Sequence, residues 1–377
     1  MHVISGLNAG GAELMLLRLV KSRGANSGAR HVVVSLTGIG KVGLQLQAAG
    51  ITVYALKMHS AVCVFSAIFE LVQLIRALRP EIVQTWMYHA DLIGGVAARL
   101  AGNSGVIWGV RGAAIPQPGM STTKFVVNVC SLLSRFIPRV IVCCAESARV
   151  AHAKLGYDSS KLVVIPNGYE LSCLVAHPSL RQQTRASFGI SDEDIVIGIV
   201  GRFDPLKDHF NFVCAALLVA ARVPAARFLM VGRGLDPSNS DLQSWLSASE
   251  FPKKFVLAGE QSDVLACYAA MDIFCLSSTN EGFPNVVCEA MAMNIPCVVT
   301  DAGDAAEIVS ATGLVVGTGN SAALANALFR MIEIGSIERS RLGKCARLRI
   351  EKNYSIEIAA ARFENLYRWV VSQSSKA

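Results

Sequence analysis

Residues 195–210 read IVIGIVGRFDPLKDHF. Six apolar or glycine residues run without polar interruption, then a glycine, then charged residues in a loop that contains Pro205. A strand with one face in water alternates apolar and polar side chains. A run that is apolar throughout is covered on both faces, as in a parallel sheet. Working outward, the same unit repeats. Strands are expected at His2–Ile4, Val32–Leu36, Thr52–Ala55, Ile82–Thr85, Val106–Val110, Val140–Cys144 and Val163–Ile165. A second series is expected at Ile195–Val200, Arg227–Val231, Phe255–Leu257, Ile273–Leu276, Cys297–Thr300 and Leu314–Val316. Helical periods fill the gaps, as in residues 65–79 (FSAIFELVQLIRALR) and 90–101 (ADLIGGVAARLA). Alternating β and α elements predict a parallel sheet with helices on both faces.

The series breaks once. Residues 166–193 are polar, carry two prolines and lack long apolar runs. The expected organisation is therefore a first Rossmann-like domain over 1–168, a linker with room for one short helix over 169–193, a second Rossmann-like domain over 194–355, and a C-terminal helix and tail over 356–377. The final helix, about 356–372, carries Phe363, Leu366, Tyr367, Trp369 and Val370, aromatic surface expected to return to the first domain.

Bulk properties agree. A chain of 377 residues, 52% hydrophobic and 17% charged, is too long for one ordinary core. No apolar run approaches the ~18–20 residues that span a bilayer, and the first residues lack the pattern of a signal peptide. Eleven scattered cysteines without a C-x-x-C pair suit a reducing cytosol, and none has zinc-site spacing. A cytoplasmic location is expected. The net charge of +7 is uneven: residues 1–170 hold 16 Lys/Arg against 7 Asp/Glu, and the remainder hold 19 against 21. A basic first domain favours an anionic partner, such as nucleic acid, a phosphorylated substrate or an acidic membrane surface; a solvated basic surface accounts for it equally well.

Open α/β sheets bind ligands at the carboxyl ends of their strands, so chemistry is sought there and in the cleft that two such domains would form. The first strand is followed by Gly10-Gly11 at a helix start, where backbone N–H groups can meet an anion; a plain tight turn explains it as well. Arg202 and Lys207 follow Ile195–Val200 and could grip a diphosphate. Val231-Gly232-Arg233-Gly234 is a further loop at a strand end. Residues 280–296, NEGFPNVVCEAMAMNIP, follow Ile273–Leu276. A helix is expected from Pro284 to about Met293, with Glu281 in the loop before it and Glu289 in its second turn. Phosphate would sit on the helix amides, with sugar hydroxyls donating to the two carboxylates. In the first domain His89 and Asp91 follow one strand and Arg111 another; His89 and Arg111 are placed to meet an acceptor, although a lone histidine is more often an ordinary structural residue.

Taken together, Gly10-Gly11-Ala12-Glu13, Ile165-Pro166-Asn167-Gly168, Gly201-Arg202 with Lys207, Val231-Gly232, and Glu281/Glu289 within EGFPNVVCEAMA resemble the retaining GT-B glycosyltransferases of family 4 over nearly the whole chain. The resemblance implies that Arg202 and Lys207 bind the donor diphosphate and Glu289 the ribose. Glu281 and the backbone at Phe283, Pro284 and Asn285 would meet the transferred sugar. Gly10-Gly11 would close over the diphosphate, and His89 would lie near the sugar. Relatives commonly carry a histidine where Arg111 stands, which leaves the acceptor-activating group open. A hexose or N-acetylhexosamine would move from a nucleotide-sugar, UDP by default, to a glycan or lipid-linked acceptor in surface polysaccharide assembly (O-antigen, capsule or exopolysaccharide). No metal and no cofactor are expected, since fixed cations and helix N-termini supply the positive potential.

The apolar segment 121–139, with Lys124, Arg135 and Arg139 near its ends, is expected to be a helix, either in the core or facing an anionic membrane surface on the cytoplasmic side. Two other functions compete. A dinucleotide oxidoreductase lacks G-x-G-x-x-G with its acidic ribose partner. A non-catalytic nucleotide-sugar-binding protein is disfavoured by the intact set Glu281, Glu289, Arg202 and Lys207.

Overall fold

The computed structural model describes residues 1–8, 10–22, 30–59, 63–112, 121–175 and 177–374. The chain forms two compact units, Met1–Tyr169 with Ile356–Ala377, and Glu170–Ser355.

In the first unit the elements alternate as β1 (His2–Ile4), α1 (Gly11–Ser22), β2 (Val32–Ser35), α2 (Gly40–Ala48), β3 (Thr52–Ala55), α3 (Val64–Leu78) and β4 (Val83–Trp86), followed by α4 (Tyr88–Leu100), β5 (Val106–Val110), α5 (Ser121–Leu133), β6 (Val140–Cys143), α6 (Glu146–Lys154) and β7 (Leu162–Val164). All pairings are parallel, in the order β3-β2-β1-β4-β5-β6-β7. Every expected strand is present. β1, β2, β4, β5 and β6 are buried along their whole length, which is why their sequences do not alternate. The order reverses beside β1. With right-handed crossovers this sends α1 and α2 to one face and α3, α4 and α5 to the other. Helix α4 packs between α3 and α5. The expected helix over 121–139 stops at Leu133, short of the turn through Phe136 and Pro138 that leads into β6.

The second unit holds α7 (Pro178–Ser187), β8 (Ile195–Val200), α8 (His209–Ala220), β9 (Ala226–Val231), α9 (Ser240–Ser247), β10 (Phe255–Gly259), α10 (Val264–Ala270) and β11 (Ile273–Leu276). It continues with α11 (Asn285–Ala292), β12 (Cys297–Thr300), α12 (Ala305–Val309), β13 (Leu314–Val316), α13 (Ser321–Glu333) and α14 (Gly335–Asn353). Its parallel order is β10-β9-β8-β11-β12-β13, reversing between β8 and β11.

Residues 170–193, expected as a linker, belong to this second unit. Helix α7 packs on α10, and one buried arginine holds it there. The Arg185 guanidinium donates to the carbonyls of Ala270, Ser191 and Asp194 and to Asp272 Oδ2 at 2.6 Å. Asp272 also accepts from Arg181 and from Val196 N. The first residue of that network lies on α7 and the last on β8, so charged hydrogen bonds, beside the buried Leu174 and Ile190, hold the polar stretch in this unit.

The final helix, α15 (Ile356–Ser374), returns to the first unit and packs on α1. Ile356, Ala359, Phe363 and Val370 form its buried stripe, and Phe363 meets Trp86 at 6.3 Å between ring centres. Gly168 makes the return possible: a side chain there would sit 2.8 Å from Ala359 Cβ and from Ile356 Cα.

Two predictions follow from this packing. Arg185→Ala should destabilise the second unit by about 3–5 kcal/mol, because it removes the buried donor shared by the carbonyls of Ala270, Ser191 and Asp194 and by Asp272, although Asp272 keeps Arg181 and Val196 N; denaturant unfolding followed on Trp245 checks it, and a cost below about 1 kcal/mol would contradict it. The second concerns Asp91, fully buried at the start of α4, whose Oδ1 accepts from Thr85 Oγ1 (2.5 Å) and Gly109 N (3.2 Å). Burial pushes its carboxyl up to about 8, against opposing contributions from those hydrogen bonds. A raised carboxyl favours the folded state most at low pH, and that contribution is lost as pH rises from the ordinary carboxylate range to about 8. At about 1.4 kcal/mol per pH decade, Asp91→Asn should remove several kcal/mol of this decline. Thermal melts at pH 5 and 8 test it; identical slopes in the two proteins would overturn it.

Candidate functional site

In each sheet the residues singled out by sequence collect beside the strand where the order reverses. In the second unit, Gly201–Lys207 leave the carboxyl end of β8, and Glu281–Glu289 follow its neighbour β11. In the first, Gly10-Gly11 follow β1 and His89 follows its neighbour β4. Loops that leave a reversal point run in opposite directions and open a crevice between them.

The β8 and β11 loops are tied together. Lys207 Nζ donates to Glu281 Oε1 at 2.6 Å, and Ser278 Oγ donates to the same oxygen at 2.7 Å. Ser277 Oγ holds the Lys207 carbonyl, and Thr279 N holds that of Leu206. Thr300, on β12, fixes Ser278 through its carbonyl. Asp204 caps the turn 205–207 through Leu206 N, and Asp208 caps α8 through Asn211 N. These two aspartates are accounted for as caps. Arg202 pairs with Asp204 at 2.8 Å yet stays 62% exposed, free to turn toward an anion.

Backbone approach at this edge demands glycine. Gly232 adopts φ +143°, and a side chain there would meet Gly201 O at 1.9 Å. Gly303 (φ +59°) supports the Glu281-Gly282 turn, where a side chain would meet the Glu281 carbonyl at 2.4 Å. Helix α11 begins at Asn285 after Pro284, whose side chain offers no cap, and its first turn carries no acidic residue. Its N-terminus therefore keeps its positive potential. Phe283 is buried against Tyr354 (5.6 Å between rings), so this position can offer a ligand its backbone and not its ring. Glu289, one turn further on, accepts from Tyr268 Oη at 3.1 Å.

Burial holds the His209 imidazole, stacked on Phe203, down at about 4. It is therefore neutral beside Lys207 at physiological pH.

The first unit treats its candidates differently. His89 is half-buried at the start of α4, and burial lowers its pKa, favouring the neutral ring. The preceding Met87 adopts φ +74°, ψ 156°, a backbone state rare outside glycine, pinned by Met87 N to Gly109 O and Asp91 N to Met87 O, each 2.8 Å. Glu13 folds back over Gly10: a side chain at Gly10 would lie 2.4 Å from its carboxylate. Local packing thus accounts for Gly10, and desolvation raises the Glu13 carboxyl.

Arg111, expected to face an acceptor, is turned into the domain. Its guanidinium lies 4.4 Å over the Trp86 ring and donates to Asn167 Oδ1 at 2.9 Å. It ties β5 to the Ile165–Gly168 loop and, through Trp86 and Phe363, to α15. The aromatic cluster draws it inward, since a stacked guanidinium keeps its charge where an ammonium would not.

Sequence reasoning did not single out Ser277, Ser278, Thr300 or Tyr268. The hydroxyl run Ser277-Ser278-Thr279 at a strand's carboxyl end was a usable signal. Tyr268 lies on α10, and nothing local marks its contact with Glu289.

Two family models match the chain in tandem: Glycosyltransferase Family 4 over residues 9–172 and Glycosyl transferases group 1 over residues 194–333. A UDP-Gal:alpha-D-GlcNAc-diphosphoundecaprenol alpha-1,3-galactosyltransferase of Escherichia coli is 26% identical over 62% of this chain and 61% of its own length. The capsular polysaccharide biosynthesis glycosyltransferase CapM of Staphylococcus aureus is 24% identical over 85% of this chain and 86% of its own. Among solved structures, HepE of Anabaena in complex with UDP superposes with a TM-score of 0.83 at 20% identity, covering 97% of this chain and 99% of that one. A glycosyltransferase from Rickettsia africae gives 0.82 at 18% identity, covering 98% of each. The chain thus belongs to the family 4 (group 1) glycosyltransferases and has their GT-B fold.

Proposed function

We propose that the protein is a retaining glycosyltransferase that moves a hexose or N-acetylhexosamine from a UDP-sugar to a lipid-linked glycan during assembly of a surface polysaccharide. The observation that carries this reading is the joined edge of β8 and β11, where the Lys207–Glu281 contact, exposed Arg202, the N-terminus of α11 and Glu289 all lie at one strand-order reversal.

Each part has a task. Arg202, Lys207 and the α11 N-terminus place positive charge where a diphosphate leaves, so the departing group is stabilised without a metal. Glu289, oriented by Tyr268, accepts from the ribose hydroxyls. Glu281, held by Lys207 and Ser278, accepts from the sugar. Such preorganised acceptors cost no reorganisation during reaction. Neutral His89 at the first unit's reversal point is the group assigned to the acceptor side. UDP is favoured because HepE was crystallised with it and the Escherichia coli relative is named for UDP-Gal. A lipid-linked acceptor is favoured by that relative's diphosphoundecaprenol acceptor, and polysaccharide assembly by CapM. Such an acceptor places the enzyme peripherally on the cytoplasmic face of a membrane; among the described residues no helix is long and apolar enough to cross one.

Calorimetry with EDTA present tests the donor site. UDP should bind more tightly than GDP or ADP, and Glu289→Ala should weaken it by ~1–3 kcal/mol, the value of a lost charged hydrogen bond. Absence of binding by all three nucleotides, or no effect of Glu289→Ala, would refute the assignment. Arg202→Ala should weaken UDP about tenfold or more while leaving uridine binding unchanged, because it removes only a diphosphate contact. Equal losses for UDP and uridine would mean that Arg202 does not touch the phosphates.

A further inference from the structure

The outer face of α3, α4 and α5 leaves six large apolar side chains in water. Phe65, Phe69, Leu100, Phe125, Leu132 and Phe136 are 58–83% exposed. Phe65 and Phe69 are four apart and share one side of α3. Phe125 and Leu132 are seven apart and share one side of α5, with Phe136 in the turn after it. Four exposed phenylalanines on one layer are unusual for this chain: the second unit exposes one, Phe210, among the described residues. Apolar side chains concentrated in this way mark an interaction surface.

The charges on the same layer are mostly positive. Arg76 ends α3 and Arg99 ends α4, while Arg135 follows the end of α5 and Lys124 lies in its first turn. Arg76 donates to the Leu100 carbonyl at 3.1 Å, and Arg99 to the Phe136 carbonyl at 2.7 Å. Lys161, beside them, donates to the carbonyls of Ser134 and Arg135. These acceptors are carbonyls, which carry no formal charge, so Arg76 and Arg99 are oriented without being neutralised, whereas Lys161 also pairs with Asp158 at 3.9 Å. Burial first and the neighbouring Arg139 next lower the pKa of Arg99. Glu70 is the sole exposed carboxylate on the three helices, since Asp91 is buried.

We infer that this three-helix face docks on an anionic lipid bilayer, with the phenylalanines entering the headgroup boundary and the cations meeting lipid phosphates. The chemistry favours lipid over a protein partner because aromatic side chains and an excess of cations share one helical layer, as at interfacial membrane surfaces. The inference rests on the proposed lipid-linked acceptor for its purpose and on the surface alone for its evidence. It extends the segment 121–139 to α3 and α4, on which sequence periodicity shows no membrane signal.

Sedimentation with vesicles of phosphatidylglycerol in phosphatidylcholine, against phosphatidylcholine alone, tests it at low and high salt. The protein should pellet with the anionic vesicles at low salt and largely release at high salt. The pair Lys124→Glu/Arg135→Glu should lower partitioning about tenfold or more, and Phe65→Ser/Phe69→Ser should do so comparably. Both pairs alter exposed positions, and unchanged UDP calorimetry would show that each variant is folded. No pelleting, or pelleting that ignores both pairs, overturns the inference. Light scattering that shows a dimer, abolished by the phenylalanine pair, would assign the face to a second copy and overturn it as well. A failure to bind UDP would refute the donor reading while leaving the vesicle result to stand by itself.

Discussion

Two neighbouring parallel strands cannot be joined by a tight turn, because the chain must travel back the length of the sheet before it pairs again. Each crossover here is a helix, and right-handed crossovers place successive helices on one face until the strand order reverses. The reversal occurs beside β1 in one unit and beside β8 in the other. At each such point two loops depart in opposite directions, and neither can fill the space between them. The candidate chemistry of this protein sits on those loops for that reason. Buried strands and their alternating helices decide where a ligand can go before any functional side chain is chosen.

What the loops carry must then be held without losing its charge. Around Glu281 this is done by hydroxyls and one ammonium: Ser278 and Lys207 satisfy one carboxylate oxygen, and Thr300 fixes Ser278 from the adjacent strand. Partial burial strengthens such contacts relative to water. Glu289 accepts from the Tyr268 hydroxyl, which reaches it from α10. The Asp204 and Asp208 caps serve backbone geometry and leave the nearby cations in place.

The first unit uses similar residues for architecture. Arg111, Asn167 and Gly168 knit β5, the loop after β7 and the returning helix α15 into one core, through a stacked guanidinium, a side-chain hydrogen bond and a close backbone approach. Gly10 makes room for the Glu13 carboxylate. The strained backbone at Met87 contrasts with these: it is pinned from both sides and brings His89 to the reversal point, and strain of that kind is kept where surrounding bonds over-determine it.

All thirteen strands and the start of α11 were legible in sequence, because a central strand covered on both faces must be continuously apolar, the edge strands are β-branched runs between helices, and a proline must stand at a helix start or outside the helix. So was the approach of the Lys207 loop to the Glu281 loop, since strand ends point the same way in a parallel sheet. Periodicity could not show that α7 joins the second unit, because Arg185 folds it by long-range hydrogen bonds rather than by an apolar stripe. Nor could it show that Arg111 turns inward onto Trp86, or that Tyr268 reaches Glu289 from another helix. Local sequence determines which segments are apolar, which begin helices and which carry charge. Which charge meets which depends on side chains brought together from distant positions, and only tertiary packing decides that.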